Sequence, residues 1–239
     1  MNDRAEQDKY QLIEAYFGDL TVKSGLFSGM KYASLESVGS EIFPKLAGTY
    51  EDELFPMLKL LSSNQYDLIV NIGHAEGFYA IGLAKLFPTN YVYAYDIDAH
   101  AEELCTRMAV LNDVQERVLI KGSCNPEVLA NITLGKRCLI ICDCEGYERE
   151  LFVKSNITAF ADSHLIIELH PMDDALIKSY VTDLFNVSHD LKFVSSHDTA
   201  RKIFELPSNF SIFSFDEKYK IVDEHRPFTM DWLIASPRA

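Results

Sequence analysis

The sequence predicts an α/β fold, a seven-stranded and mostly parallel sheet with helices on both faces, an antiparallel last strand and an N-terminal cap. Three observations predict it. Short apolar runs at 67–72, 91–95, 117–122, 138–142 and 165–169 alternate with helix-like segments, and strands that are apolar throughout belong to a parallel sheet covered on both faces. The first run ends in a glycine-punctuated turn, Gly73-His74-Ala75-Glu76-Gly77, and a helical pattern follows at once. Runs at 191–195 and 230–235 read as strands with no helical pattern between them, so they should pair antiparallel.

Residues 1–20 carry an apolar stripe at helical spacing: Tyr10, Leu12, Ile13, Tyr16, Phe17 and Leu20. Residues 20–32 alternate loosely around Ser24-Gly25 and Ser28-Gly29, which reads as a small hairpin. Thr49, with Asp52 three residues on, reads as the N-cap of a helix over 50–61. Residues 1–60 therefore form the expected cap (helix, hairpin, helix), and 61–239 the sheet domain. Its helices are expected at 78–87, stopped by Pro88, and at 101–111, 126–130, 147–153 and 173–185. Residues 198–228, with Pro207 and Pro227, read as an irregular insertion.

With 239 residues, 48% of them hydrophobic, the chain can bury a sizeable core. A net charge of −14 withholds the electrostatic attraction that dominates nucleic-acid affinity, and it disfavours an anionic membrane surface. A small molecule is thus the expected partner, with no nucleic acid and no membrane; the oligomeric state is not readable. The polar first residues and the lack of any apolar run near the ~20 residues of a span point to a cytoplasmic protein. The five cysteines lack framework spacing and read as buried free thiols, with Cys142 and Cys144 expected on opposite faces of their strand.

The chemistry gathers at the strand ends. Gly73 permits a tight bend, and small residues at Ala75 and Gly77 let a ligand approach backbone amides at a helix N-terminus. The dinucleotide fingerprint fails, because its third glycine would fall on Phe78, and no Gly-Lys-Ser/Thr phosphate loop is present. What remains suits the methionine portion of S-adenosylmethionine. Asp96 ends the second strand 19 residues after Gly77, where a carboxylate can accept both ribose hydroxyls. Ile97 is placed to lie on an adenine face, and Ser123, after the third strand, at an adenine edge. His74 shapes the turn. Asp143 and Glu145 follow the fourth strand and face the same crevice, where carboxylates can orient an acceptor, act as a base or hold a cation. Glu168 and His170 share one face at the end of the fifth strand, with His170 a candidate base. Asp143, Glu168 and His170 could also form a mixed metal site, although no metal is predicted. His197 opens on the same rim with a weaker claim.

These residues resemble the FkbM-type family of S-adenosylmethionine-dependent methyltransferases. The matching elements are Asn71-Ile72-Gly73-His74-Ala75-Glu76-Gly77-Phe78-Tyr79, Tyr95-Asp96, Asp143-Cys144-Glu145-Gly146-Tyr147-Glu148 and Ile166-Ile167-Glu168-Leu169-His170. The resemblance covers about residues 46–170. It implies a Rossmann-like class I methyltransferase fold and O-methylation of a hydroxyl, often on a sugar or natural product. It also implies that Tyr50 and Glu51 close over the cofactor. Asn71 stands where members usually carry an acid, and Ala75 where they carry asparagine. Asn71 can still hydrogen-bond the cofactor's amino group, without charge. The rival readings are an NAD-dependent oxidoreductase and a non-catalytic nucleoside-binding relative.

Overall fold

The computed structural model describes residues 2–238, with side chains from residue 9 onward. In chain order the helices and strands are α1 (Asn2–Phe17), α2 (Ile42–Ala47), α3 (Phe55–Leu61), β1 (Leu68–Ile72), α4 (Phe78–Leu86), β2 (Val92–Tyr95), α5 (Ala99–Leu111), β3 (Val118–Lys121), α6 (Pro126–Thr133), β4 (Cys138–Cys142), α7 (Glu148–Leu151), β5 (His164–Leu169), α8 (Ile177–Phe185), β6 (His189–Ser195), α9 (Thr199–Glu205), α10 (Phe215–Val222) and β7 (Asp231–Pro237). The strands form one sheet in the order β3-β2-β1-β4-β5-β7-β6. All neighbouring pairs are parallel except those made by β7, which runs antiparallel to both β5 and β6. This is the Rossmann-like methyltransferase fold the sequence predicts. Among the described residues, no helix is long and apolar enough to cross a membrane.

Alternation along each strand sorts the core into two layers. Ile69, Leu139, Ile141, Ile166 and Trp232 face α4, α5 and the N-terminal segment. Val70, Ile140, Cys142, Ile167 and Leu233 face α6 and α8. The N-terminal segment shares one continuous apolar cluster with the sheet, through Ile13, Phe17, Phe27, Leu46 and Leu58. Phe27 shows how close that packing is, because a Cβ at Gly82 of α4 would meet its ring at 2.7 Å.

Several expectations change. The hairpin at 20–32 reduces to one isolated bridge, Thr21 to Lys31, because its backbone groups also turn elsewhere, as where Lys23 N donates to Leu46 O at 2.7 Å. Thr49 does not cap a helix. Gly48, at φ +82°, closes the unanticipated α2, Glu51 takes a left-handed conformation at φ +51°, and a 3-10 turn over Asp52–Leu54 precedes α3. Residues 198–228 are not irregular throughout. Asp198 caps α9 by accepting from Arg201 N, and Ser214 with Glu217 forms a reciprocal capping box on α10. Helices therefore do lie between β6 and β7, which still pair antiparallel. Cys142 and Cys144, two residues apart, share one face rather than opposing each other, and their sulfurs lie 3.4 Å apart. All five cysteines are free.

Candidate cofactor and acceptor site

The sheet order reverses direction between β1 and β4, and the ligand crevice of an open α/β sheet lies at such a switch, beyond the carboxyl ends of the strands. Gly73 is fixed there by contact. It sits at φ +75°, and a Cβ on it would overlap the carbonyl oxygen of Asp143. The glycine thus lets the turn after β1 lie directly on the backbone after β4. The amides of Gly73 and His74 both donate to Tyr95 O, at 2.8 and 3.2 Å. Ala75, left-handed at φ +48°, donates its amide to Asp96 Oδ2 at 2.9 Å, and the other Asp96 oxygen accepts from Asp98 N at 3.0 Å. The Asp96 carboxylate therefore stands against the turn. Beside it Ile97 is 88% exposed, a large apolar side chain open to a flat ring. Ser123 is exposed past β3, and Asp98 serves as the N-cap of α5.

Asn71 lies in β1 on the face shared with Ile69. It is fully buried, and both its side-chain polar atoms lack a hydrogen-bond partner. Buried polar groups are nearly always paired, so this amide has one donor group and one acceptor to offer a ligand. His74 is also buried. Its Nδ1 donates to Ala75 O at 2.7 Å, and its Nε2 is unpartnered.

On the acceptor side the imidazole of His170 is the centre. Glu148 Oε1 takes its Nδ1 at 2.7 Å. Its Nε2 faces three carboxylates at longer range: Asp143 Oδ1 at 3.5 Å, Glu145 Oε2 at 3.5 Å and Glu168 Oε2 at 3.7 Å. Glu145 reaches this position from a left-handed backbone at φ +51°. Burial followed by the charges of Glu168 and Glu51 pushes Asp143 well above the usual carboxylate range. Burial alone would lower His170, but the Glu148 hydrogen bond and the surrounding carboxylates outweigh it and raise the imidazole.

Tyr50 and Glu51 do not stand free over the crevice. Glu51 is fully buried, hydrogen-bonded by the Tyr79 hydroxyl and by Arg226 Nη2 at 2.7 Å. The same guanidinium donates to Glu168 Oε1 and to Glu224 Oε2, each at 2.7 Å. One cation shared by three carboxylates does not neutralise them all, and burial with the Glu168 charge pushes Glu51 up to about 7. Tyr50 packs its ring edge-on against Phe78, with the Lys45 ammonium 4.8 Å above it. Lys45 and Glu76 make a fully buried ion pair, and Glu76 Oε2 also accepts from Val38 N at 3.1 Å. The glycine turn is thereby fastened to the N-terminal segment.

His197 belongs to a second cluster. Its Nδ1 lies 2.9 Å from Asp52 Oδ1, and with Glu53 the two form a three-ligand group. Lys202, almost fully buried, stands 3.6 Å from Asp52 and 3.9 Å from Glu53, pairs with Glu224 and donates to Thr49 O at 2.8 Å. A cavity of about 240 Å³ opens beside this group, walled by His197, Lys202, Glu224, Arg226 and Phe228 among others.

The structure therefore gathers Gly73, His74, Ala75, Gly77 and Asp96 at one end of the crevice, and Asp143, Glu145, Glu168 and His170 at the other. It joins Glu51 to the second group through Arg226. The sequence reading missed Arg226, Lys202, Glu224 and the Lys45–Glu76 pair. Arg226 has no periodic context, lying between His225 and Pro227. Lys45 did leave a signal, as a lone cation within the apolar run Ile42-Phe43-Pro44-Lys45-Leu46-Ala47.

No protein-family profile and no curated protein matches the chain in sequence. Among solved structures it is similar to an rRNA methylase from Streptococcus thermophilus, with 11% identity, 78% of this chain and 97% of that one covered, and a TM-score of 0.51. It is also similar to the O-methyltransferase TomG from Streptomyces achromogenes, involved in tomaymycin synthesis and solved in complex with SAM, with 12% identity, 77% and 81% covered, and a TM-score of 0.50. Both share the fold described above. An rRNA methylase and an O-methyltransferase lie equally near, so the fold does not select the acceptor.

Proposed function

We propose that this chain is an S-adenosylmethionine-dependent O-methyltransferase of the FkbM type, acting in the cytoplasm on a hydroxyl of a small molecule such as a sugar or natural product. The observation that carries the reading is the Asp96 carboxylate set against the glycine turn at the switch point, with the apolar Ile97 open beside it. Asn71 fits the same cofactor, since its two unpartnered buried atoms suit an amino group and a carboxylate. Ser123 lies beyond the neighbouring strand end, on the adenine side. When bound, the cofactor supplies a methyl group on a sulfonium, transferred by in-line displacement.

The chain's own residues then do the positioning, which dominates such a reaction. Asp96 orients the ribose, and the amides and small side chains of the 73–77 turn accommodate the methionine end. Tyr50 and Glu51 wall the crevice from the N-terminal segment. Asp143 and Glu145 orient the acceptor, and among the protein's own groups His170 is placed to take its proton. The net charge of −14 supports a small-molecule acceptor over a nucleic acid, and five free thiols suit a reducing compartment.

Calorimetric titration with S-adenosylmethionine tests the reading. Asp96→Ala should weaken binding at least about tenfold, the cost of losing hydrogen bonds to a charged group. Unchanged affinity would sink the assignment. Titration with NAD in parallel should give no heat.

A further inference from the structure

We propose that Asp143, Glu168 and His170 form a binding site for one divalent cation of the manganese or magnesium type, with the exposed Glu145 at its rim. As a binding site this stands on geometry. Its place beside the acceptor rests on the methyl-transfer reading above.

The spacing is that of ligands around an ion rather than of hydrogen-bonded partners. Oxygen and nitrogen ligands about 2.1–2.2 Å from an ion at right angles lie about 3.0 Å from one another, widening to about 3.5 Å as the angles open. His170 Nε2 lies 3.5, 3.5 and 3.7 Å from its three carboxylate oxygens. Those distances are too long for good hydrogen bonds, and a contraction of about 0.5–0.7 Å brings them to the right-angle spacing around an ion. Two polar atoms facing this space make no hydrogen bond. His170 is 8% exposed, and its Nε2 makes no hydrogen bond. Asp143 Oδ1 is buried and has none either.

The surroundings complete the arrangement. A ligating histidine commonly gives its other ring N–H to a carboxylate, which fixes the tautomer and aims the free nitrogen. Glu148 does this for His170 at 2.7 Å. Arg226 holds the far oxygen of Glu168, leaving Oε2 turned toward the cluster. Among the described residues, no lysine or arginine other than Arg226 pairs with Asp143, Glu145 or Glu168. Two carboxylates with one imidazole favour an ion that accepts hard oxygen ligands and tolerates nitrogen. With an ion bound, His170 Nε2 would be a ligand and no longer the acceptor's base; a hydroxyl of the acceptor would be a further oxygen ligand, oriented and acidified by the ion instead.

The test is a manganese titration of the full chain, stripped with EDTA and desalted, following loss of the free Mn(II) electron paramagnetic resonance signal. One ion should bind per chain. Glu148→Gln should weaken binding about 10- to 100-fold, Asp143→Asn by more, and Asp52→Asn, in the other cluster, not at all. Thermal unfolding without metal verifies that each variant folds. Should one fail to fold, the remaining pair still decides. A free signal unchanged at millimolar manganese in the wild type would overturn the site, as would equal binding by the wild type and Asp143→Asn. Calorimetry with S-adenosylmethionine in EDTA separates the two ideas. Cofactor binding without manganese binding removes the cation site alone, and manganese binding without cofactor binding removes the methyl-transfer reading alone.

Discussion

Two histidine–carboxylate clusters stand on one rim of the sheet, and they differ in what balances their charge. Around His197 the carboxylates of Asp52 and Glu53 have the Lys202 ammonium at 3.6 and 3.9 Å, so that group carries its own cation. Around His170, Asp143 and Glu145 have only the imidazole, and Glu168 shares Arg226 with two other carboxylates. The first arrangement is a fastener that ties the N-terminal segment to α9. The second leaves acidic groups with unmet demand beside a candidate ligand crevice, and strongly perturbed carboxyls in such a place mark a candidate functional site. Burial alone does not separate the two; the presence of an internal counter-charge does.

The largest effect should come from removing that counter-charge. Lys202→Met would leave Glu224, Asp52 and Glu53 facing each other without their ammonium. Breaking a buried pair from one side costs about 3–5 kcal/mol, read as a fall in the urea midpoint at constant slope. A loss below about 1 kcal/mol would show that the two clusters do not differ in this way.

A smaller effect should appear with pH. Glu51 is raised from its ordinary 4.5 to about 7, by burial first and by Glu168 next. A carboxyl raised in the folded state contributes stability that is fully present below about 4.5 and lost as pH rises through about 7. Asp143 and His170 are also raised and act in the same direction. Chelator-treated protein should therefore lose up to about 3 kcal/mol from Glu51 between pH 4.5 and 7. Glu51→Gln should flatten that part of the stability profile, and a profile unchanged by the substitution would contradict the assignment.

The smallest effect should have the opposite sign to the first. Asp143→Asn removes a charge that its surroundings already disfavour. In EDTA at pH 7 stability should hold or rise by about 1 kcal/mol, because a like-charge neighbour has gone. A loss as large as that of Lys202→Met would mean that Asp143 is a structural partner after all.

Much of the fold was legible because strand and helix periodicities survive in the sequence. The apolar run at Cys138–Cys142 is a fully buried strand, and the antiparallel end was expected from the last two runs. Two local signals were present and overlooked. Ser214 and Glu217 have the capping-box spacing that starts α10, and Asp198 stands three residues before the amide it caps. In the N-terminal segment Pro44 obscured α2, and the left-handed Glu51 broke the helix expected over 50–61. Such a conformation, unusual for any residue but glycine, is imposed by its partners rather than by local preference. Turn residues and strand-end carboxylates could be placed because chain order brings them to one rim. The counter-charges could not, since Arg226 meets Glu168 across 58 positions and Glu51 across 175, and no local pattern encodes a contact of that span.

Those separations also carry an entropic cost. Arg226 meets its three carboxylates where β5, the N-terminal segment and the connection through α9 and α10 come together. The entropy of closing loops of that length is spent before these contacts return anything. The rim that carries the candidate chemistry is therefore tied together by contacts that span 58 and 175 positions, and its geometry depends on all of those segments being in place at once.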